Sequence, residues 1–373
     1  MKYYLIAGEA SGDLHGANLM KALKERDPQA DFRFFGGDMM AAQGGTLVKH
    51  YADMAYMGFI EVVANLPAIM KNISFCKKDV LTWQPDVLVL IDFPGFNMRI
   101  AEFAKNNGLL VCYYISPKVW AWNQKRVLKI KKSVDHLFCI LPFEVDFYKT
   151  WGMEVDYVGN PLLDAVAAFK PDEDFLSKNN LAHKKIIALL PGSRRQEISK
   201  LLPDMLGVVD RFRERQFVIA GAPSFNEEYY KEYVGDRNIP VLFNSTYDIL
   251  KNADAAIVTS GTATLETALF HVPEVVVYKS SAVSIFIGRL VIKIPFISLV
   301  NLIMDKLVVK ELIQQDCTPK TIGDELDKLV NDTTYRAAML GNYNELDIKM
   351  GEPGASAHTA ELIIKYTKKR SLK

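Results

Sequence analysis

Apolar residues along this chain fall into short runs separated by glycine turns and helical stretches, and one such unit occurs twice. Tyr3-Tyr4-Leu5-Ile6-Ala7 leads into Gly8-Glu9-Ala10-Ser11-Gly12-Asp13, and Ile186-Ile187-Ala188-Leu189-Leu190 leads into Pro191-Gly192-Ser193-Arg194-Arg195. After the first turn, Leu14 to Leu23 carries apolar residues at helical spacing as far as Asp27-Pro28. Phe32 to Phe35, Val87 to Ile91, Leu109 to Ile115, Leu137 to Leu141 and Val155 to Val158 then read as strands. Val87 to Ile91 is apolar on both faces, as a buried parallel strand must be. Gly159-Asn160-Pro161 ends this series, and the polar stretch Phe169 to Lys185 breaks the periodicity, which predicts an interdomain linker there. A second series runs through Ile186 to Leu190, Phe217 to Ala220, Val241-Leu242, Ala255 to Val258 and Val275 to Val277. Repeated βαβ units of this kind predict an α/β fold of two Rossmann-like, doubly wound domains facing each other across a cleft. The boundaries fall at 1–168 and 169–354, with Thr359 to Lys368 forming a final helix.

Length agrees with that division, since 373 residues exceed one ordinary core. A composition 49% hydrophobic and 24% charged is that of a folded globular chain, and a net charge of +1 gives no general attraction to nucleic acid. Cys76, Cys112, Cys139 and Cys317 are scattered without a C-x-x-C pair, so buried reduced thiols are expected rather than disulfides or zinc. The chain opens on a strand, and no signal peptide is expected. Its most apolar region, Ala282 to Val309, is interrupted by Arg289, Lys293 and Pro295. It falls short of the roughly 18 uncharged residues that a membrane span needs. A soluble protein able to touch a membrane is the expectation.

The glycine turns are where ligands bind in open parallel sheets, because they present backbone N–H groups and helix starts. At the second turn Gly192 allows close approach, Ser193 can cap the next helix, and Arg194 can hold a phosphate bidentately. An ordinary strand-to-helix turn with a surface arginine would look the same. A second candidate in that half is Ser260-Gly261-Thr262-Ala263-Thr264-Leu265-Glu266, whose small hydroxyl residues suit a pyrophosphate and whose Glu266 can accept from ribose hydroxyls. Helix capping alone would also account for the Ser and Thr residues. Neither first strand is followed by G-x-G-x-x-G, since Gly8, Gly12 and Gly16 are spaced by four, and there is no Walker A sequence. A nucleotide-sugar donor fits better than a dinucleotide or a P-loop nucleotide.

In the first half, Asp92 stands at the end of a buried strand in Asp92-Phe93-Pro94-Gly95-Phe96-Asn97, where a carboxylate can deprotonate an acceptor hydroxyl. A turn-forming Asp is the plainer alternative. Glu9, Ser11, Asp13 and His15 form a second polar group at the first turn. The stretch Met57 to Met70 is almost wholly apolar, including Phe59, Val62, Val63, Leu66, Ile69 and Met70. It is either core or a patch that dips into a bilayer or holds acyl chains. Lys71, Lys77 and Lys78, with Lys125, Arg126, Lys129, Lys131 and Lys132, would then meet anionic head groups or simply face solvent.

Several segments together resemble the lipid-A-disaccharide synthase family. They are Gly8 to Asp13, Ser116-Pro117-Lys118-Val119-Trp120-Ala121-Trp122, Leu190 to Arg194, Ser260 to Glu266, Ser298 to Ile303 and Glu311 to Gln314, in the family's order along nearly the whole chain. The resemblance implies an inverting, metal-independent glycosyltransferase of the GT-B type. Such an enzyme joins UDP-2,3-diacylglucosamine to 2,3-diacylglucosamine 1-phosphate (lipid X), giving UDP and a β(1→6) disaccharide 1-phosphate. It places UDP on the second half, at Gly192, Ser193, Arg194, Ser260, Gly261, Thr262, Glu266, Asn301 and Gln314, and the essential aspartate on Asp92. Glu9, Ser11, Asp13, His15, Asn97 and Trp120 become the acceptor-side candidates, with Arg194 joining Asp92 in catalysis. It further implies no cofactor, peripheral attachment to the cytoplasmic face of the inner membrane, a helix from about 355 to 373 packing back on the first domain, and homodimers exchanging C-terminal segments. One departure is plain: many members carry a second Asp where this chain has Gly95, which throws weight on Asp92. A UDP-N-acetylglucosamine 2-epimerase or another UDP-sugar transferase with the same frame is the rival enzyme. A non-catalytic carrier is the rival outside catalysis.

Overall fold

A computed structural model describes residues 1–54, 66–280 and 294–371. Phe59, Val62 and Val63, and residues 282–293 of the apolar stretch beginning at Ala282, lie outside these residues. The chain forms two compact units, one of Met1–Asp164 with Glu352–Lys373 and the other of Ala165–Gly351.

In the first unit the strands are β1 (Lys2–Ala7), β2 (Asp31–Gly36), β3 (Thr46–His50), β4 (Val87–Ile91), β5 (Val111–Tyr114), β6 (His136–Cys139) and β7 (Asp156–Tyr157). They pair in parallel in the order β3-β2-β1-β4-β5-β6-β7. Every residue of β4 is buried, which is why its sequence lacks polar alternation. Register sets Leu5 against Val89 and Ala7 against Ile91, so the loops after β1 and β4 leave the sheet side by side. The strand order reverses at this point, the place where doubly wound sheets open a crevice.

The second unit repeats the plan with β8 (Ile186–Leu190), β9 (Gln216–Gly221), β10 (Val241–Phe243), β11 (Ala253–Thr259), β12 (Glu274–Tyr278) and β13 (Lys310–Ile313). Their order is β10-β9-β8-β11-β12-β13, again parallel. Leu190 pairs with Val258, and the turns after β8 and β11 therefore emerge as neighbours.

The strands β3 and β13 escape a reading based on apolar runs. Both are edge strands of mixed polarity, Thr-Leu-Val-Lys-His and Lys-Glu-Leu-Ile, and β3 is open to solvent at Thr46 and Leu47. The stretch Phe169 to Lys185 is also no linker. Phe175 and Leu181 are buried in the second core, and the Phe169 ring meets those of Tyr247 and Phe270 edge-on. Three spaced apolar anchors suffice to dock a polar segment. The last helix, Ala355–Ser371, packs on the helix Ala10–Arg26 and adds Ala360, Ile363 and Ile364 to the first core. The Asp164 carboxylate caps this helix by accepting from the amides of Gly354 and Ala355. All four cysteines are free and buried.

Candidate active site

Asp92 follows β4 with φ of 44°, and Phe93 after it has φ of 49°. Two successive non-glycine residues in the left-handed region cost on the order of 1–3 kcal/mol each, more readily borne by Asp than by Phe. Surrounding bonds hold them there. The Asp92 amide donates to the Tyr114 carbonyl at 3.1 Å, and its own carbonyl accepts from the Tyr113 hydroxyl at 2.6 Å and from Asn97 Nδ2 at 2.8 Å. Phe93 also needs Gly8, because a side chain there would overlap its ring. This backbone clamp leaves the Asp92 carboxylate to other work. Burial raises its pKa, while the nearby Lys118 charge and a hydrogen bond from the Phe93 amide oppose that rise. A carboxyl shifted in this direction is a better base than an exposed one.

The acceptor-side candidates divide by burial. Asn97 is fully buried, and its Nδ2 also reaches the carbonyls of Ile6 and Ile91 at 3.3 and 3.2 Å, tying the ends of β1 and β4 together. Asp13 is buried too, accepting from the amides of Gly37, Met39 and Met40 at 2.7, 3.0 and 3.1 Å. Trp120 is buried with Nε1 donating to Glu144 at 3.1 Å, and burial pushes the Glu144 pKa up to about 7. Asp13 and Trp120 have their polar atoms spent on the protein, whereas Asn97 Oδ1 has no hydrogen-bond partner among the described residues. The exposed tryptophan of that motif is Trp122, at 45%, with the Arg126 guanidinium 4.4 Å from its ring centre. Glu9 and Ser11 are exposed at the start of the first helix. His15 is half-buried, its pKa lowered by burial, and its Nδ1 has no partner among the described residues.

In the second unit, Gly192 has φ of 100° and packs against the Glu197 side chain, so a side chain at this turn would be both strained and obstructed. Glu197 Oε2 accepts from the amides of Ser193 and Arg194, both at 3.2 Å. Ser193 is therefore not the cap of the helix Arg195–Leu206. The carboxylate three residues beyond Arg194 does that work, and Ser193 is left exposed. The Arg194 side chain is 77% exposed, with one loose contact of 3.4 Å to Glu197.

At the neighbouring turn, Ser260 Oγ donates to the Ile297 carbonyl at 2.9 Å, while Gly261 and Thr262 are exposed at the start of the helix Thr262–Leu269. Glu266 is half-buried and accepts from the Tyr247 hydroxyl at 2.9 Å; burial raises its pKa and this bond opposes the rise. Asn301 is fully buried. It accepts from the amides of Val308 and Val309 at 2.8 and 2.9 Å and donates to Glu311 at 2.9 Å, and Glu311 in turn accepts from the amides of Ile297 and Ser298. This network fixes the approach to Gln314, which stands at φ of 59° with its Nε2 unpartnered among the described residues. Sequence reasoning missed Glu197 and Tyr247. The former has a legible signal, the capping-box spacing after Arg194; the latter has none.

On the helix Leu66–Trp83, Leu66 and Met70 are 47% and 46% exposed, whereas Ile69 packs on the core. No helix of the described residues is long and apolar enough to cross a membrane, and no cluster of three or more His, Cys, Asp or Glu among them could hold a metal ion.

Comparison with known proteins identifies the family and the fold. The family model described as lipid-A-disaccharide synthetase matches residues 3–360. A lipid-A-disaccharide synthase of Syntrophus aciditrophicus is 40% identical, covering 98% of this chain and 97% of that protein. One of Myxococcus xanthus is 39% identical, covering 96% of each. The solved glycotransferase of kitacinnamycin is similar in fold, with a TM-score of 0.68 at 13% identity over 98% of both chains. That likeness makes the two-domain α/β architecture a GT-B fold. A match of such length and identity means that the chain belongs to the lipid-A-disaccharide synthase family.

Proposed function

We propose that this protein forms the lipid A disaccharide by transferring a diacylglucosamine unit from UDP-2,3-diacylglucosamine to lipid X, releasing UDP. The observation that carries the reading is that a chain of this family holds a half-buried, shifted carboxylate in the strained turn after β4 of one unit and an exposed arginine at a glycine turn after β8 of the other. Asp92 accepts the proton of the acceptor 6-hydroxyl as that oxygen attacks the anomeric carbon opposite the leaving diphosphate, so the configuration inverts. Gly95 supplies no second carboxylate beside it. Arg194 and the exposed start of the helix Thr262–Leu269 take up the charge that develops on departing UDP, which lets the step proceed without a metal ion. Gln314 and Glu266 are the uridine- and ribose-side candidates. Ser260 and Asn301 support them by fixing the loop. Leu66 and Met70 offer an apolar surface for acyl chains at the inner membrane, with no cofactor required.

UDP release from UDP-2,3-diacylglucosamine in mild detergent tests this directly. Release that depends on lipid X, with a new disaccharide phosphate, is the expected result. Release without acceptor would favour an epimerase-like reaction, and none with either lipid would reject the synthase.

A further inference from the structure

Next to Asp92 the first unit contains a cavity of about 280 Å³ that the transfer step leaves unused. Its chemistry comes from Arg99, Lys118, Arg126, Lys129, Trp122 and Met98, and among the described residues no carboxylate lines it. Four cations around one hollow repel one another, and such a grouping is stabilised by a multiply charged anion. The nearest compensation is slight. Lys129 pairs with Glu102 at 2.8 Å on an exposed face, and among the described residues Arg99, Lys118 and Arg126 form no ion pair. Arg126 is held over the Trp122 ring, which orients its guanidinium without neutralising it.

Two further contacts give the cavity a direction. On one side Lys118 acts electrostatically on the Asp92 carboxylate. On the other, Arg99 Nη1 lies 3.2 Å from Met70 Sδ, at the exposed apolar face that includes Leu66. Base, cationic hollow and apolar ledge thus follow one another on a single unit. An amphiphile whose anion lies between a reactive hydroxyl and its acyl chains matches that sequence.

We infer that this cavity holds the phosphomonoester of the acceptor lipid, with Arg99 and Arg126 as its principal ligands and the acyl chains lying over Met70 and Leu66. The inference rests on the transfer reaction proposed above. It assigns acceptor recognition chiefly to Arg99 and Arg126, which lie outside the motif residues, and gives Lys118 of the Ser116 to Trp122 motif a double task between phosphate and base.

The test compares lipid X with the same lipid lacking its phosphate, both in neutral detergent micelles, for the native protein and for Arg99→Gln, Arg126→Gln and Arg126→Lys. The native protein should prefer the phosphorylated acceptor in kcat/KM. Each Gln variant should reduce that preference about tenfold, the loss of one charge-assisted contact, through the acceptor KM while the donor KM holds. Arg126→Lys should recover part of it. Full preference retained in the Gln variants, or equal losses on both lipids, would overturn the inference. So would loss of sedimentation with phosphatidylglycerol vesicles while the preference survives, since the cations would then serve membrane head groups. If the native protein transfers to neither lipid, the transfer reading itself fails. Binding of the two lipids by tryptophan quenching then still decides the cavity: a phosphate-dependent affinity lost in Arg126→Gln supports it, and equal affinities refute it.

Discussion

Beyond β4 the backbone turns through two left-handed residues that are not glycine, Asp92 and Phe93, and Ile115, just after the neighbouring β5, has φ of 67°. Beyond β8 the corresponding turn uses Gly192, for which φ of 100° is unstrained. The first edge therefore stores strain and restrains it with buried amides and hydroxyls, fixing one carboxylate in place. The second edge costs little to form and leaves Arg194, Gly261 and Thr262 exposed. Six strands follow the same order in the two sheets, with β7 added to the first, so the contrast belongs to the loops. A rigid, partly desolvated group suits proton transfer, which depends on placement and pKa. An open cation and a helix start suit a charged ligand that must arrive and leave.

The sharpest way to break this contrast is Asp92→Asn. Transfer should fall by roughly 10²–10⁴-fold, the usual worth of a general base. Stability should move the other way. Because the folded-state pKa is raised, Asp92 favours the fold below its unfolded pKa, and that contribution disappears as pH rises through the folded value. Melting curves should show the Asn variant more stable at pH 8 and level with the native protein at pH 3. Lower stability at pH 8 would mark Asp92 as a structural turn residue.

Next comes Arg194→Ala, with an expected loss of roughly 2–4 kcal/mol of transition-state stabilisation measured through kcat/KM. Near-normal turnover would remove Arg194 from the leaving-group role. Gly8→Ala follows: its methyl must displace the Phe93 ring, costing about 1–3 kcal/mol in denaturant unfolding, with activity falling because Asp92 shifts too. An unaffected fold would show that Phe93 is not held as described. The smallest effect is expected from Lys118→Met. The Lys118 charge lowers the Asp92 pKa, so its removal should move the acid limb of the kcat–pH profile upward. A limb that stays put or moves down would detach Lys118 from the base.

Much of this was legible in the chain. Buried parallel strands such as Val87–Ile91 announce themselves because no residue faces water, and the glycine turns after β1 and β8 locate both candidate edges. What stayed hidden depends on tertiary neighbours. Trp120 and Trp122 are alike in sequence, yet two positions apart on a short helix send one to Glu144 and the other to Arg126. Asp13 and Asn301 have the side chains of ligand groups, and only the amides and carbonyls around them reveal that they are committed to the scaffold, as is the Nδ2 of Asn97. The basic cavity draws on residues 94 to 130, brought together by the packing of helices beside the first sheet.

One measurement bears most directly on the division of work between the two edges: calorimetric titration of UDP into the native protein, Arg194→Ala and Asp92→Asn, with transfer assayed in parallel. The account predicts weakened UDP binding in Arg194→Ala, and in Asp92→Asn native UDP affinity with transfer lost. Loss of UDP affinity in Asp92→Asn, or its full retention in Arg194→Ala, would contradict it.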